Sequence, residues 1–308
     1  MNFADRLHAA IRAKGTPALV GLDPHLDLLP DEFAVAREPS ASRKRRAEAL
    51  SSFCCELVDV IADRVPAVKP QSAFFEQLGA DGVAAWERVV SHARGAGLLV
   101  IGDVKRGDIS STAEAYARAF LSGVPGCDRE CLCDAVTLNA FLGEDSVRPF
   151  LEACAESGGG LYVLVRTSNR GSRDFQRHGD PELSFAIAAA VERWGAELVG
   201  ECGWSSVGAV VGATHGDELR AFRAALPRTP LLLPGYGAQG AGADDVVGAF
   251  RSADGTRVAP TGALVNSSRG IAFAYRTDAR HADDWRAAAR AALEAMVDDL
   301  ARAIGREA

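Results

Sequence analysis

Eight short apolar runs punctuate the chain: Ala18–Leu22, Ala67–Val68, Leu98–Asp103, Ala135–Leu138, Leu161–Val165, Val207–Val211, Leu231–Leu233 and Ala263–Val265. Each is too short for a helix and almost continuously apolar, the pattern of a parallel strand covered on both faces. Longer segments suited to helices lie between them, at Ala47–Val65, Gly79–Ala96, Thr112–Leu121, Asp145–Ser157, Pro181–Val199, Asp217–Leu226 and Ala243–Phe250. Another helix is predicted before the first strand at Phe3–Lys14, and a terminal one at about Ala282–Ile304. Ser111-Thr112-Ala113-Glu114 has the form of a capping box, which predicts a helix with Ser111 as N-cap, starting straight after Asp108.

Strict alternation without a break predicts one α/β domain, a single (β/α)8 barrel over residues 1–308. The alternative is a doubly wound open sheet. That fold normally announces itself by a Gly-rich turn after its first strand, and Gly21-Leu22-Asp23-Pro24 carries neither a GxGxxG nor a Walker loop. The longest irregular connection runs from Asp23 to about Arg43 and holds Pro24, Pro30 and Pro39. It reads either as a lid-like insertion or as a surface loop.

The third run ends abruptly in Asp103-Val104-Lys105-Arg106-Gly107-Asp108. Residues two apart on a strand point to the same side, about 6.6 Å from one another. Asp103 and Lys105 are therefore expected to project together from the strand end, with Asp108 in the turn beyond. An ammonium set between carboxylates is poised to deliver a proton; the bland alternative is an ordinary ion pair on a loop. In a barrel, catalytic groups sit at the carboxyl ends of the strands. Read in order, those ends offer Asp23, Lys69, Asp103 with Lys105, Asn139, Thr167-Ser168-Asn169, Thr214-His215, the segment Pro234 to Gly240, and Asn266-Ser267-Ser268-Arg269-Gly270. The last two loops have the makings of a phosphate grip. Glycines such as Gly237 let backbone N–H groups approach an anion, Arg269 supplies a forked cation, and Gln239 lies on the matching loop. His215 reads as a structural histidine.

Composition narrows the choice of partner and compartment. The 308-residue chain is 48% hydrophobic and 24% charged, as expected of a globular protein, and its net charge of -7 argues against nucleic acid as the main partner. The one dense basic run, Arg43-Lys44-Arg45-Arg46, reads as a solvated face at a helix start. No segment approaches a membrane span and the N-terminus has no apolar secretory core, so a cytoplasmic protein is expected. Seven cysteines, an odd number, fit reduced thiols better than a disulfide framework. Cys127, Cys131 and Cys133 lack a CxxC pair and a nearby histidine, and no metal site is assigned to them.

Asp103-x-Lys105-x-x-Asp108, with Leu22-Asp23-Pro24, Val68-Lys69-Pro70, Gly235-Tyr236-Gly237-Ala238-Gln239-Gly240 and Val265-Asn266-Ser267-Ser268-Arg269-Gly270, closely resembles the orotidine 5′-phosphate decarboxylase family in its longer bacterial (type 2) form. The match extends from Gly21 to about Tyr275. The resemblance implies a (β/α)8 barrel that converts orotidine 5′-monophosphate to UMP and CO2 in pyrimidine synthesis, with neither metal nor organic cofactor. It implies that Asp23 and Lys69 contact the ribose hydroxyls, that Lys105 protonates C6, and that Asp103 lies beside the departing carboxylate. Asp108 and Thr112 are implied to enter the site from the neighbouring subunit of a homodimer. Ser168, or the adjacent Thr167, would bind the pyrimidine amide edge, and Gln239 and Arg269 would hold the phosphate.

The chemistry is consistent with these assignments. Loss of CO2 leaves a carbanion in the ring plane, and a cation at Lys105 complements that charge more than it does the ground state. Asp103 is expected above all to keep Lys105 charged and oriented. Two other readings stand beside this one. One is a magnesium-dependent sugar-phosphate decarboxylase or aldolase on the same scaffold; the other is a catalytically silent nucleotide-binding barrel.

Overall fold

A computed structural model describes residues 1–126, 128–212, 216–237, 242–256 and 258–307. Eight parallel strands close on themselves in chain order: β1 (Ala18–Leu22), β2 (Ala67–Pro70), β3 (Leu99–Arg106), β4 (Ala135–Leu138), β5 (Gly160–Arg166), β6 (Val207–Val211), β7 (Leu231–Pro234) and β8 (Ala263–Ser267). The helices are α1 (Phe3–Lys14), α2 (Arg43–Ile61), α3 (Ala73–Glu76), α4 (Gly79–Gly95), α5 (Ser110–Ala117), α6 (Glu144–Ser157), α7 (Leu183–Trp194), α8 (Gly216–Ala225), α9 (Ala243–Val246), α10 (Arg269–Ala272) and α11 (Trp285–Glu307). This is the (β/α)8 barrel that the alternation of runs predicts.

Strand residues alternate between two cores. Leu19, Ala67, Ile101, Ala135, Tyr162, Val210, Leu232 and Leu264 point inward and pack with Phe3, Leu7 and Ile11 of α1, which plugs the amino end of the barrel. Their neighbours, among them Val20, Val68, Val100, Val136 and Val163, face outward onto the helices. Burial on both sides is why the strand runs are almost wholly apolar. Two residues beyond four of these inward positions, toward the carboxyl end, the same face becomes polar: Lys69 follows Ala67, Asp103 follows Ile101, Thr137 follows Ala135 and Asn266 follows Leu264. The inward stripe thus carries the site.

Several local expectations need correction. The third strand runs from Leu99 to Arg106, three residues past the expected end at Asp103. The capping box at Ser111 does not form: α5 begins at Ser110, flanked by Ile109, with no side-chain cap. Its start is set by the tight chain path out of β3, where Asp108 Oδ1 accepts the Ile109 N–H at 2.8 Å. Beyond Ala117 that helix loosens into a π turn at Arg118–Ser122. The second helix starts at Arg43, so the basic run forms its first turn, capped by Ser42. The segment predicted as one helix over Pro181–Val199 is α7 plus a separate 3-10 turn at Ala196–Leu198, divided at Gly195. The Asp23–Arg43 connection holds 3-10 turns at Leu26–Leu28 and Asp31–Arg37. It is tied to the C-terminal region by Tyr275 Oη donating to Leu28 O at 2.8 Å and by Arg286 pairing with Glu32 at 2.9 Å.

Candidate functional site

Asp103 is the hub of the carboxyl-end face. Its Oδ2 accepts from Lys69 Nζ at 2.6 Å and from Gln71 Nε2 at 2.9 Å. Its Oδ1 accepts from Lys105 Nζ at 2.5 Å and from Thr137 Oγ1 at 2.8 Å. An ionised carboxylate has about four lone-pair positions, and all are engaged. The side chains of Lys69 and Asp103 are only 7% and 8% exposed, whereas that of Lys105 is 45% exposed and so is within reach of a ligand. Lys105 takes a positive φ of 43°, and the β3–β4 register shifts between Gly102 and Arg106. A bulge of this kind re-aims a side chain at a local cost.

Burial opposes charge on Asp103, but Lys69 and Lys105 overcome it by their charge and their hydrogen bonds, holding the carboxyl well below its usual range. Burial likewise works to discharge Lys69; Asp103 and then Asp23 outweigh it and leave the amine above its ordinary value. The array is therefore a buried anion clamped by two cations, the more exposed of which faces a cavity of about 180 Å³. Lys69, Asp103, Lys105 and Thr137 form its polar wall, and Leu164, Val210, Leu232 and Pro234 its apolar one. Thr167 and Ser168 close a third side.

These two serine and threonine positions differ in their bonding. Thr167 Oγ1 donates to Asn169 Oδ1 at 2.6 Å and accepts from Gln176 Nε2 at 2.8 Å. The Ser168 hydroxyl has no hydrogen-bond partner among the described residues. Asp23 sits close enough to Lys69 to raise its pKa, and its buried Oδ1 has no hydrogen-bond partner among the described residues. His25 feels both Asp23 and Arg269, which puts these groups on one side of the mouth; burial, the largest influence, pushes its imidazole down. Arg269 is exposed at the start of α10, and Gly237 is exposed with a φ of 74°. Gln239, Thr214 and His215 lie outside the described residues. Asp108 and Thr112 do not line the cavity of their own chain; Thr112 is exposed on the first turn of α5 and Asp108 half-buried before it. Among the described residues no group of three or more His, Cys, Asp or Glu side chains is placed to hold a metal ion.

A family model described as orotidine 5′-phosphate decarboxylase / HUMPS matches residues 20–282. The chain belongs to this family. It is 43% identical over 310 residues to the orotidine 5′-phosphate decarboxylase of Rhodopirellula baltica, covering 97% of this chain and 99% of that one. It is 39% identical to the Deinococcus radiodurans enzyme of the same name over 305 residues, covering 99% and 98%. A crystal structure of a Streptomyces avermitilis protein superposes with a TM-score of 0.78 at 37% identity, covering 99% of this chain and 96% of that one.

The structure places Lys69, Asp103, Lys105 and Ser168, all singled out from the sequence, along one cavity. Sequence reading misses Gln71 and Thr137, both bound to Asp103. Each had a signal: they lie on the inward parity of their strands, two residues from Lys69 and from Ala135. Gln176, which fixes Thr167 from nine residues away, had none. No described helix is long and apolar enough to cross a membrane.

Proposed function

We propose that this chain decarboxylates orotidine 5′-monophosphate to UMP, and that Lys105 delivers the proton. The observation that carries the assignment is the Lys69–Asp103–Lys105 array, with the exposed ammonium at a small cavity. The bond from C6 to the substrate carboxylate breaks, its electron pair stays on C6 and CO2 departs. A Lys105 N–H then protonates C6, leaving a neutral amine that solvent reprotonates. Asp103 anchors Lys105 by direct contact, so the cation is in place before charge develops and little reorganisation is needed. Asp23 and Lys69 hold the ribose hydroxyls. The unengaged Ser168 hydroxyl takes the pyrimidine amide edge, a choice over Thr167 favoured by the latter's bonds to Asn169 and Gln176. Arg269, Gln239 and the backbone at Gly237 hold the phosphate, whose binding energy draws the loops over the base.

No metal or organic cofactor enters this scheme. The magnesium-dependent sugar-phosphate reading is disfavoured because Asp103 has no acceptor position left to offer a cation. The silent-binder reading does not account for an ammonium held at the cavity by a buried carboxylate. The enzyme is a homodimer in which Asp108 and Thr112 complete the partner's site, each barrel being one domain over 1–308 of the longer bacterial form. It works in the cytoplasm, in keeping with its six described cysteines, all unpaired.

The test is UMP formation from orotidine 5′-monophosphate in the presence of EDTA. Turnover is expected to persist, and K105A is expected to lower kcat on the order of 10³-fold or more with UMP affinity largely kept. Strict magnesium dependence, or a K105A enzyme at wild-type speed, would remove the assignment.

A further inference from the structure

The backbone at Lys105 is the most unusual feature of the site, and nothing in the reaction scheme explains what holds it. Lys105 is one of two non-glycine residues with positive φ among those described, the other being Ser110. In this region an L-residue is sterically disfavoured, so the surroundings must impose it. The bulge between Gly102 and Arg106 interrupts the regular ladder with β4 just where Lys105 lies. A peptide N–H freed from a ladder needs another acceptor. It finds the side chain of Thr137: Lys105 N donates to Thr137 Oγ1 at 3.0 Å.

The direction of this pair fixes the next one. A backbone N–H can only donate, so Thr137 Oγ1 is the acceptor there and its own proton is free to point elsewhere. It points to Asp103 Oδ1, at 2.8 Å, the oxygen that also receives the Lys105 ammonium. Thr137 is 1% exposed, so neither bond has water as a substitute. One hydroxyl therefore ties the main chain of Lys105 and the anchor of its side chain to a single point on the neighbouring strand. Without it, the bulge loses its acceptor and the Asp103 carboxylate loses a donor.

We infer that Thr137 is a positioning residue for the decarboxylation: it holds Lys105 in its left-handed backbone conformation and orients Asp103, so that the ammonium is aimed at the base. The inference rests on the decarboxylase reading above, and it concerns kcat in particular. Thr137 contributes to where the proton donor stands and little to substrate affinity.

Thr137→Val keeps the shape and removes both hydrogen bonds, and Thr137→Ser keeps them both. T137V is expected to lose about a hundredfold in kcat, the usual scale for a misplacement near 1 Å, with UMP affinity within about threefold of wild type. T137S is expected to stay within about fivefold of wild type, since its hydroxyl can make the same two bonds. A crystal structure of T137V should show Lys105 at negative φ or its Nζ withdrawn from Asp103. The idea is overturned if T137V turns over within about twofold of wild type, if T137S is as impaired as T137V, or if UMP affinity falls in step with kcat, the mark of a merely structural role. If T137V does not fold, T137A carries the same comparison. Failure of the wild-type protein to decarboxylate orotidine 5′-monophosphate would break the functional reading instead. The T137V crystal would then still decide: an unchanged Lys105 backbone and Asp103 contact overturn this inference, and a relaxed one supports it.

Discussion

At Asp103 a single buried carboxylate pairs with two ammonium groups, so its ionisation is coupled to folding. Its folded pKa lies below the ordinary 3.8, so its contribution to stability is full above that pH and is lost as the pH falls through the depressed folded value. Lys69 behaves in the opposite sense. Its folded pKa lies above the ordinary 10.5, so its contribution is present below that pH and is lost as the pH rises through the raised folded value. Asp103→Asn leaves Lys69 buried beside Asp23 alone. It should destabilise the protein by about 3 kcal/mol near neutrality, the cost of breaking a buried pair from one side. Urea unfolding at a series of pH values checks the sign. The gap between wild type and D103N should be constant through the neutral range and narrow as the pH falls below 3.8. Two curves that run parallel into acid would show that Asp103 is not the titrating partner.

At the scale of elements, α1 illustrates how the barrel is closed from below. Phe3 meets the Tyr162 ring edge-on at a centroid distance of 6.1 Å, and Arg6 pairs with buried Asp134 and donates to Gly158 O. Gly160 opens β5 directly beneath Phe3: a Cβ there would stand 2.2 Å from the Phe3 ring. Gly160→Ala must therefore push α1 from its seat, at about 1–3 kcal/mol for an overpacked core site. The urea midpoint should fall while kcat of the folded fraction holds, because the site lies at the other end of the strands; an unshifted midpoint would mean that α1 does not bear on β5. The same elements show what the chain makes legible. β1 and β6 were readable to the residue because both faces are apolar, β4 because apolar residues flank its single Thr137, and α1 because its apolar spacing ends at a glycine, Gly15, in the left-handed region. The start of α5 was not readable from Ser111, because the path of the backbone out of β3 decides it and not a local side chain. The positive φ at Lys105 left no trace in composition. Thr137 looked like one polar residue in a strand, and only its inward parity beside Asp103 gives it meaning. Asp103 and Lys105 were legible because charge immediately after a buried apolar run has few structural reasons to exist.

For the whole molecule, the rim of the barrel leaves its chemistry unfinished. Asp108 accepts the N–H of its own neighbour and forms no ion pair among the described residues, although it stands three residues from Lys105. On the segments after β3, β4 and β5, Ile109, Phe141, Leu142 and Phe175 are exposed large apolar side chains. Asn139, Phe141 and Phe175 share a groove with Leu183 and Ile187. An apolar rim beside an unpaired acid suits a second copy of the chain, related by a two-fold axis so that each Asp108 reaches the other's Lys105. Mixed dimers test this arrangement. K105A and D108A are each expected to be nearly inactive alone. If Asp108 acts across the interface, a mixed dimer has one site with both defects and one with neither. Random exchange of equal amounts makes about half the dimers mixed, and activity should return to about a quarter of wild type. If Asp108 acts within its own chain, every site in every dimer keeps one defect, and mixing restores nothing.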